Sequence, residues 1–311
     1  MKKTRYITDA AMIAAVMAVL LLIDHLTGGL LIVNFAFVLP VPITLYGLKH
    51  DYKKAILPAI AIVFISLIIN WLIGLLYVLP SAIVSIIYIV TINKFPHKLG
   101  LKVAIMFIGS LIVNLLTTVI FSKALFGYTI LEDMAAFANS ILDIFSQFGI
   151  SNDILNNALL AILVSIFPSI IAINSIMEAI LSYLIITLLA QRILKINLGG
   201  SVLALNIKVP AIVTYIFLPL SLISLFFINN LIDYETFGLV QLLVTIGLNI
   251  LVMLSLAYII EAVVVMSMYF ARTQRRYLLV VTFLILIFMP ILLVIIGFID
   301  SIRPKFSLNS K

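Results

Sequence analysis

No cysteine occurs among the 311 residues, which excludes disulfides and thiolate metal sites and leaves the redox compartment unread. Charge is scarce as well. Only 10% of the residues are charged, against roughly 25% in an average soluble domain. The three histidines, His25, His50 and His97, fall at or near expected loops without clustering. They read as solvated or interfacial groups, and no metal site is expected. Gly199-Gly200-Ser201 lacks the lysine and the spacing that phosphate cradling requires. No HExxH motif is present, and no Ser/His/Asp set gathers at one expected membrane depth. Catalysis therefore has no residue-level support, no cofactor is implied, and any use of ATP falls to a partner.

What is abundant is apolar sequence. Hydrophobic residues make up 65% of the chain, and their runs reach or exceed the roughly 20 helical residues that cross a hydrocarbon core of about 30 Å. Alternating barrel strands are nowhere visible. The composition thus specifies an all-α, polytopic helical membrane protein surrounded by lipids. Basic residues gather at Lys2, Lys3 and Arg5; at Lys49, Lys53 and Lys54; at Lys94, Lys98 and Lys102; at Arg192, Lys195 and Lys208; and at Arg272, Arg275 and Arg276. Between them come Asp24, the stretch with Glu132, Asp133, Asp143 and Asp153, and the pair Asp233 and Glu235. Because Lys and Arg are retained on the cytoplasmic side, this alternation predicts nine crossings: 7–23, 29–48, 55–74, 76–92, 103–121, 155–190, 209–229, 238–270 and 277–298. The N-terminus is then cytoplasmic, and the odd count places the C-terminus outside. These basic groups are a topology signal and imply no nucleic acid. The first crossing resembles a signal peptide, yet no small-residue cleavage pattern precedes Asp24, so it reads as an uncleaved helix.

Runs 155–190 and 238–270 are overlong for one crossing. Neither contains a charged or Gly/Pro-rich turn, and folding either one alone into a hairpin would move an arginine cluster outside. Each is expected to be one tilted or kinked helix, with Pro168 supplying a kink in the first. The connection 122–153 reads as one or two amphipathic helices, because Met134, Phe137, Ile141, Ile144, Phe145 and Phe148 fall largely on one side. Such a segment rests on the outer surface or caps a cavity.

Polar groups inside the apolar runs are the candidate site residues. At a rise of 1.5 Å per residue, Glu178 and Glu261 lie about 20 Å and about 15 Å from the cytoplasmic ends of their runs. An ionised group near the midplane costs roughly 2.5 to 3.5 kcal/mol on insertion scales, so such residues usually face a bundle interior, a partner or a cavity. The two glutamates are expected to form one ligand-binding or proton-linked site. Asn174 is one helical turn from Glu178, and Asn249 lies further along the helix of Glu261. Asn70, Trp71 and Asn114 add donors on two other helices. For each of these, an ordinary interhelical hydrogen bond is the alternative.

Two further patterns concern the backbone. In FVLPVPITLYG, Pro40 and Pro42 each remove a donor and push the preceding residue out of the helical region. A broken helix beside a binding site follows, or a helix that begins only after Pro42. In DAAMIAAVMAVLL, Ala10, Ala14 and Ala18 repeat every four residues, with Ala11 and Ala15 in a parallel row. Small residues at this spacing let another helix approach closely, within the same bundle or on a partner.

Four segments in this order, KKTRYITDA before the alanine-rich helix, LPVPITLYGLKHDYKKA, FPSIIAINSIMEAILSYLIITLLAQRILK and IIGFIDSIRPKF, make the chain resemble the YybS-type family of bacterial integral membrane proteins. That family is similar in its N-terminal part to the S components of energy-coupling-factor vitamin transporters. The resemblance implies a six-helix, S-component-like bundle over 1–195, including the outer segment 122–153, with a small molecule bound within it. It implies that Ala10, Ala14 and Ala18 dock on a membrane-embedded energising subunit that carries ATPases. It also implies a bacterial cytoplasmic (inner) membrane location. The three-helix C-terminal part, 196–311, departs from the S-component plan. Three roles compete: a substrate-binding or transport subunit for a small molecule or lipid, a proton-coupled secondary carrier using Glu178 and Glu261, and a non-transporting scaffold in envelope or cell-shape assembly.

Overall fold

The computed structural model describes residues 2–28, 36–96, 98–127, 132, 139–140, 153–198, 209–227, 239–272, 285 and 289–302. Among these the chain is helical throughout, without strands. We number the helices α1 (Lys2–Leu26), α2 (Pro40–His50), α3 (Tyr52–Ile69), α4 (Trp71–Lys94), α5 (Leu99–Phe126), α6 (Asp153–Leu189), α7 (Ala211–Phe226), α8 (Leu239–Arg272) and α9 (Pro290–Ile302). Among the described residues their number equals the nine expected, but length divides them. Six of the described helices, α1, α3, α4, α5, α6 and α8, carry a stretch long and apolar enough to cross a membrane. α7 and α9 are shorter apolar helices, and α2 has 11 residues.

Both overlong runs are single helices. α6 continues through Pro168, and α8 runs from Leu239 to Arg272 without a break. The prolines of the second run stand at a helix start, close to the later start that the sequence allowed as one of two alternatives. A 3-10 turn, Ala36–Val38, leads through Leu39 into α2, and Pro40 and Pro42 occupy its first turns. The N–H groups of a first turn have no intrahelical acceptor, so proline costs least there. Residues 29–35 lie outside the described residues, as does most of the amphipathic connection expected over 122–153.

Tight junctions separate the next helices. Asp51 alone joins α2 to α3, at a φ of 114°, a region that is strained for a residue with a side chain. Its N–H donates to the Gly47 carbonyl at 2.8 Å and its carboxylate accepts from the Tyr52 N–H at 2.7 Å, closing one helix while capping the next. Asn70 does the same between α3 and α4: its backbone is extended, with φ −152° and ψ 101°, and its side chain accepts from the Ile73 N–H at 3.3 Å.

The chain forms two compact units, Met1–Ile130 with Asn174–Leu205, and Leu131–Ile173 with Asn206–Lys311. The division falls within α6, so it is a different partition from a sequence boundary at 195. In the first unit, Ala10, Ala14, Met17 and Leu21 of α1 share a core with Ile43 and Tyr46 of α2 and Ala55, Ala59 and Ile62 of α3. Gly47 lets α2 approach α4, since a Cβ there would overlap the Ile89 side chain. A second core joins Tyr88 of α4, Met106 and Val113 of α5, and Ala179, Tyr183 and Ile186 of α6. In the second unit, α7, α8 and α9 meet around Val209, Leu254 and Tyr258, with the Phe298 ring edge-on to Tyr258 at 6.0 Å.

The distribution of polarity is that of a chain in lipid. Met12, Val16, Ile68, Leu116 and Phe226 are exposed, whereas Ser85, Ser110, Ser175 and Ser182 are buried. Lipid tails accept aliphatic side chains freely but offer hydroxyls no partner, so the hydroxyls turn inward to bond with carbonyls and with one another.

Candidate ligand-binding site

α6 presents Ser175, Glu178 and Ser182 at spacings of three and four, which places them on one face. Asn114 of α5 reaches that face, its Nδ2 donating to Ser175 Oγ at 3.0 Å and to Glu178 Oε2 at 3.1 Å. One turn earlier on α5, the Ser110 hydroxyl pairs with the Tyr88 hydroxyl of α4 at 2.7 Å, and both lie near the Glu178 carboxyl. Ser182 donates to the Phe37 carbonyl at 2.7 Å. Polar groups of α4, α5 and α6 thus gather around a carboxylate that is half-buried, with Ser182 reaching from the same face of α6 to the 3-10 turn.

The proline segment takes part through its backbone. The Pro40 carbonyl receives both Thr44 Oγ1 at 2.7 Å and Ser85 Oγ at 3.0 Å. Glu178 and Asn114 thus meet directly, and Ser182, one turn further along α6, reaches the turn before α2. Ser110, Ser175 and Ser182 complete the set, and sequence reasoning missed them because single serines are common in membrane helices. Asn174 is exposed, and Ser175 takes the position expected of it. Asn70 is used as a cap, and Trp71, 55% exposed, faces outward. The alanine ladder is spent internally: Ala10 and Ala14 are buried against α2 and α3, which leaves Ala11 and Ala15 as the outward row.

Lys102, counted above as a topology charge, is fully buried. Its Nζ donates to the carbonyls of Leu198 at 2.6 Å and Pro96 at 3.1 Å and lies 5.2 Å from the centre of the Tyr183 ring. The amine thereby ties the segments that follow α4 and α6 to α5.

Glu261 belongs to the second unit. It is buried, and its Oε2 accepts from the Val209 N–H at 3.1 Å. One turn away, the Tyr258 hydroxyl donates to Thr214 Oγ1 at 2.9 Å, and Thr214 Oγ1 pairs with Ser301 Oγ at 2.9 Å. Asn249 serves Pro168. Its Nδ2 donates to the Ser165 carbonyl at 2.6 Å while its Oδ1 accepts from the Ser169 N–H at 3.0 Å and the Ser169 hydroxyl at 2.6 Å. Ser165 and Ser169 are the acceptor and donor that the α-helical pattern joins to each other, so the Asn249 amide splints the turn that contains the proline.

A helical chain with apolar faces outward and hydroxyls, carboxamides and carboxylates inward is a multi-pass membrane protein. Residues 15–301 match the family model described as predicted membrane protein, DUF2232, and the chain belongs to that family. No curated protein and no solved structure matches it. Membership of this family carries no stated activity, and the likeness to YybS-type proteins and to S components rests on the sequence segments alone.

Proposed function

We propose that the chain is a substrate-binding or transport subunit of a bacterial cytoplasmic membrane, whose first unit holds a small molecule or a lipid headgroup at Glu178. The arrangement that supports this is the half-buried Glu178 carboxylate, joined to Asn114 and backed by the hydroxyls of Ser110, Ser175 and Tyr88. Polar networks in a low-dielectric bundle are costly unless satisfied, and ionisable groups at membrane depth mark ligand or ion paths by default. Carboxylate oxygens only accept, whereas hydroxyls both donate and accept. The set therefore selects a ligand rich in donors, such as an ammonium or amide group.

The energy source is an external partner, and the outward row of Ala11 and Ala15 is the face offered to it. The N-terminus is cytoplasmic. Thr214, the fourth residue of α7 and near Lys208 in sequence, touches Ser301 at the end of α9, so we place the C-terminus on the cytoplasmic side too, opposite to the reading from an odd helix count.

Native mass spectrometry of the protein released from lipid nanodiscs tests the binding role. The wild type is expected to carry a small molecule or lipid in stoichiometric amount, and Glu178→Gln, which inserts normally, is expected to retain about tenfold less, the loss of one charge-assisted bond. A wild type that carries nothing specific, or a variant with equal occupancy, overturns the reading. Transport by the protein alone in liposomes under a pH gradient would shift it to a proton-coupled carrier.

A further inference from the structure

α9 buries Leu293, Gly297, Asp300 and Ser301, positions that share one face at 100° per residue. That face is turned to α8, because Gly297 lies directly on the Tyr258 backbone: a Cβ there would overlap the Tyr258 carbonyl. Three hydroxyls from three helices converge at this crossing, Tyr258 on Thr214 and Thr214 on Ser301, each at 2.9 Å. Next to Ser301, Asp300 is only 5% exposed, and its Oδ1 is buried without a hydrogen-bond partner among the described residues. A buried carboxylate oxygen left in this way costs several kcal/mol unless a positive charge or donor compensates it. Asp300 and Ser301 share the buried face of α9, the hydroxyls at this crossing are oriented by one another, and each keeps a lone pair free after donating its single proton.

We propose that Asp300, with the hydroxyl oxygens of Thr214, Ser301 and Tyr258, binds one alkali-metal cation of sodium size. Hard cations take oxygen ligands, and a single carboxylate among neutral oxygens matches a single positive charge. Thr214 is four residues from Pro210, about 6 Å along the helix axis, so the ion enters from the end of the bundle and does not cross the hydrocarbon core. Bound there, it holds α7, α8 and α9 together, and the stability of the second unit becomes dependent on sodium.

The test uses the full-length protein in nanodiscs. Its unfolding midpoint is followed in sodium chloride and in choline chloride at equal ionic strength, which cancels general screening, and bound radioactive sodium is counted by equilibrium dialysis. The wild type is expected to bind one sodium per chain and to gain a saturable rise in midpoint. Thr214→Val, a mild change in shape, is expected to weaken the apparent sodium affinity by about tenfold, and Asp300→Asn to abolish the response. No bound sodium in the wild type overturns the proposal, as does a sodium response that survives in Asp300→Asn. Arg303, three residues further in the sequence, is the competing source of positive charge. If Arg303→Gln creates a sodium response that the wild type lacks, Arg303 is the native neutraliser and the proposal fails.

Discussion

At the scale of single residues, the structure repeatedly gives one polar side chain the work of several backbone groups. Asn249 is the clearest case, since its amide answers the Ser165 carbonyl and the Ser169 N–H beside Pro168. Asn249→Leu keeps the volume but leaves those groups without their partner, at about 1 to 3 kcal/mol for each buried group left unsatisfied. We expect a loss of about 2 to 4 kcal/mol in reversible denaturant unfolding of the reconstituted protein. The cost should shrink in a Pro168→Ala background, where the helix recovers its own hydrogen bond; equal losses in both backgrounds would show that the splint is incidental. Lys102 acts likewise on Leu198 and Pro96. Replacing Lys102 with Met should lower stability by about 1 to 3 kcal/mol and increase proteolysis near residue 196, whereas unchanged cleavage would make the buried amine dispensable.

Between elements, close approach decides most of the packing. Ala14 is 7% exposed and sits in the core shared by α1, α2 and α3. Ala14→Trp is therefore expected to unfold the first unit, with even modest overpacking costing about 1 to 3 kcal/mol, instead of merely releasing a partner. Ala11→Leu and Ala15→Leu, on the outward row, should leave the thermal midpoint within a degree or two, roughly the scale of neutral surface changes, while lowering the yield of any copurified subunit. An Ala14→Trp protein that melts like the wild type would return the ladder to the lipid-facing surface. Gly297 makes the corresponding contact in the second unit, and there the neighbour is the Tyr258 backbone, which cannot rotate aside as a side chain can. Gly297→Ala should loosen α9 and expose the C-terminal segment to protease even in intact nanodiscs; full protection would mean that α8 and α9 separate without penalty.

For the molecule as a whole, topology is the sharpest test. A reporter fused after Lys208 and one fused after Lys311 should both be cytoplasmic, because Ser301 lies beside Thr214 near the start of α7. If the second reporter is outside, the contact is misplaced and the parity of nine crossings stands. The same experiment, with a reporter after Asp24, checks that α1 crosses once with the N-terminus inside.

The sequence by itself determined the solvent, and with it the fold class. A chain that is 65% hydrophobic and 10% charged has helices as its only economical form in lipid, and the lack of a turn within 155–190 and 238–270, together with the basic clusters beyond them, made each a single helix. It also singled out Glu178 and Asn114 as polar groups too costly to be idle. Only the tertiary structure decided who meets whom. Asn114 finds Glu178 from 64 positions away, and Asn249 finds Ser169 from 80, while Asn174, on the same helix as Glu178, faces out. In water, an apolar stripe on a helix announces its buried face. In lipid both faces are apolar, so periodicity says which residues share a face but not which helix that face will meet.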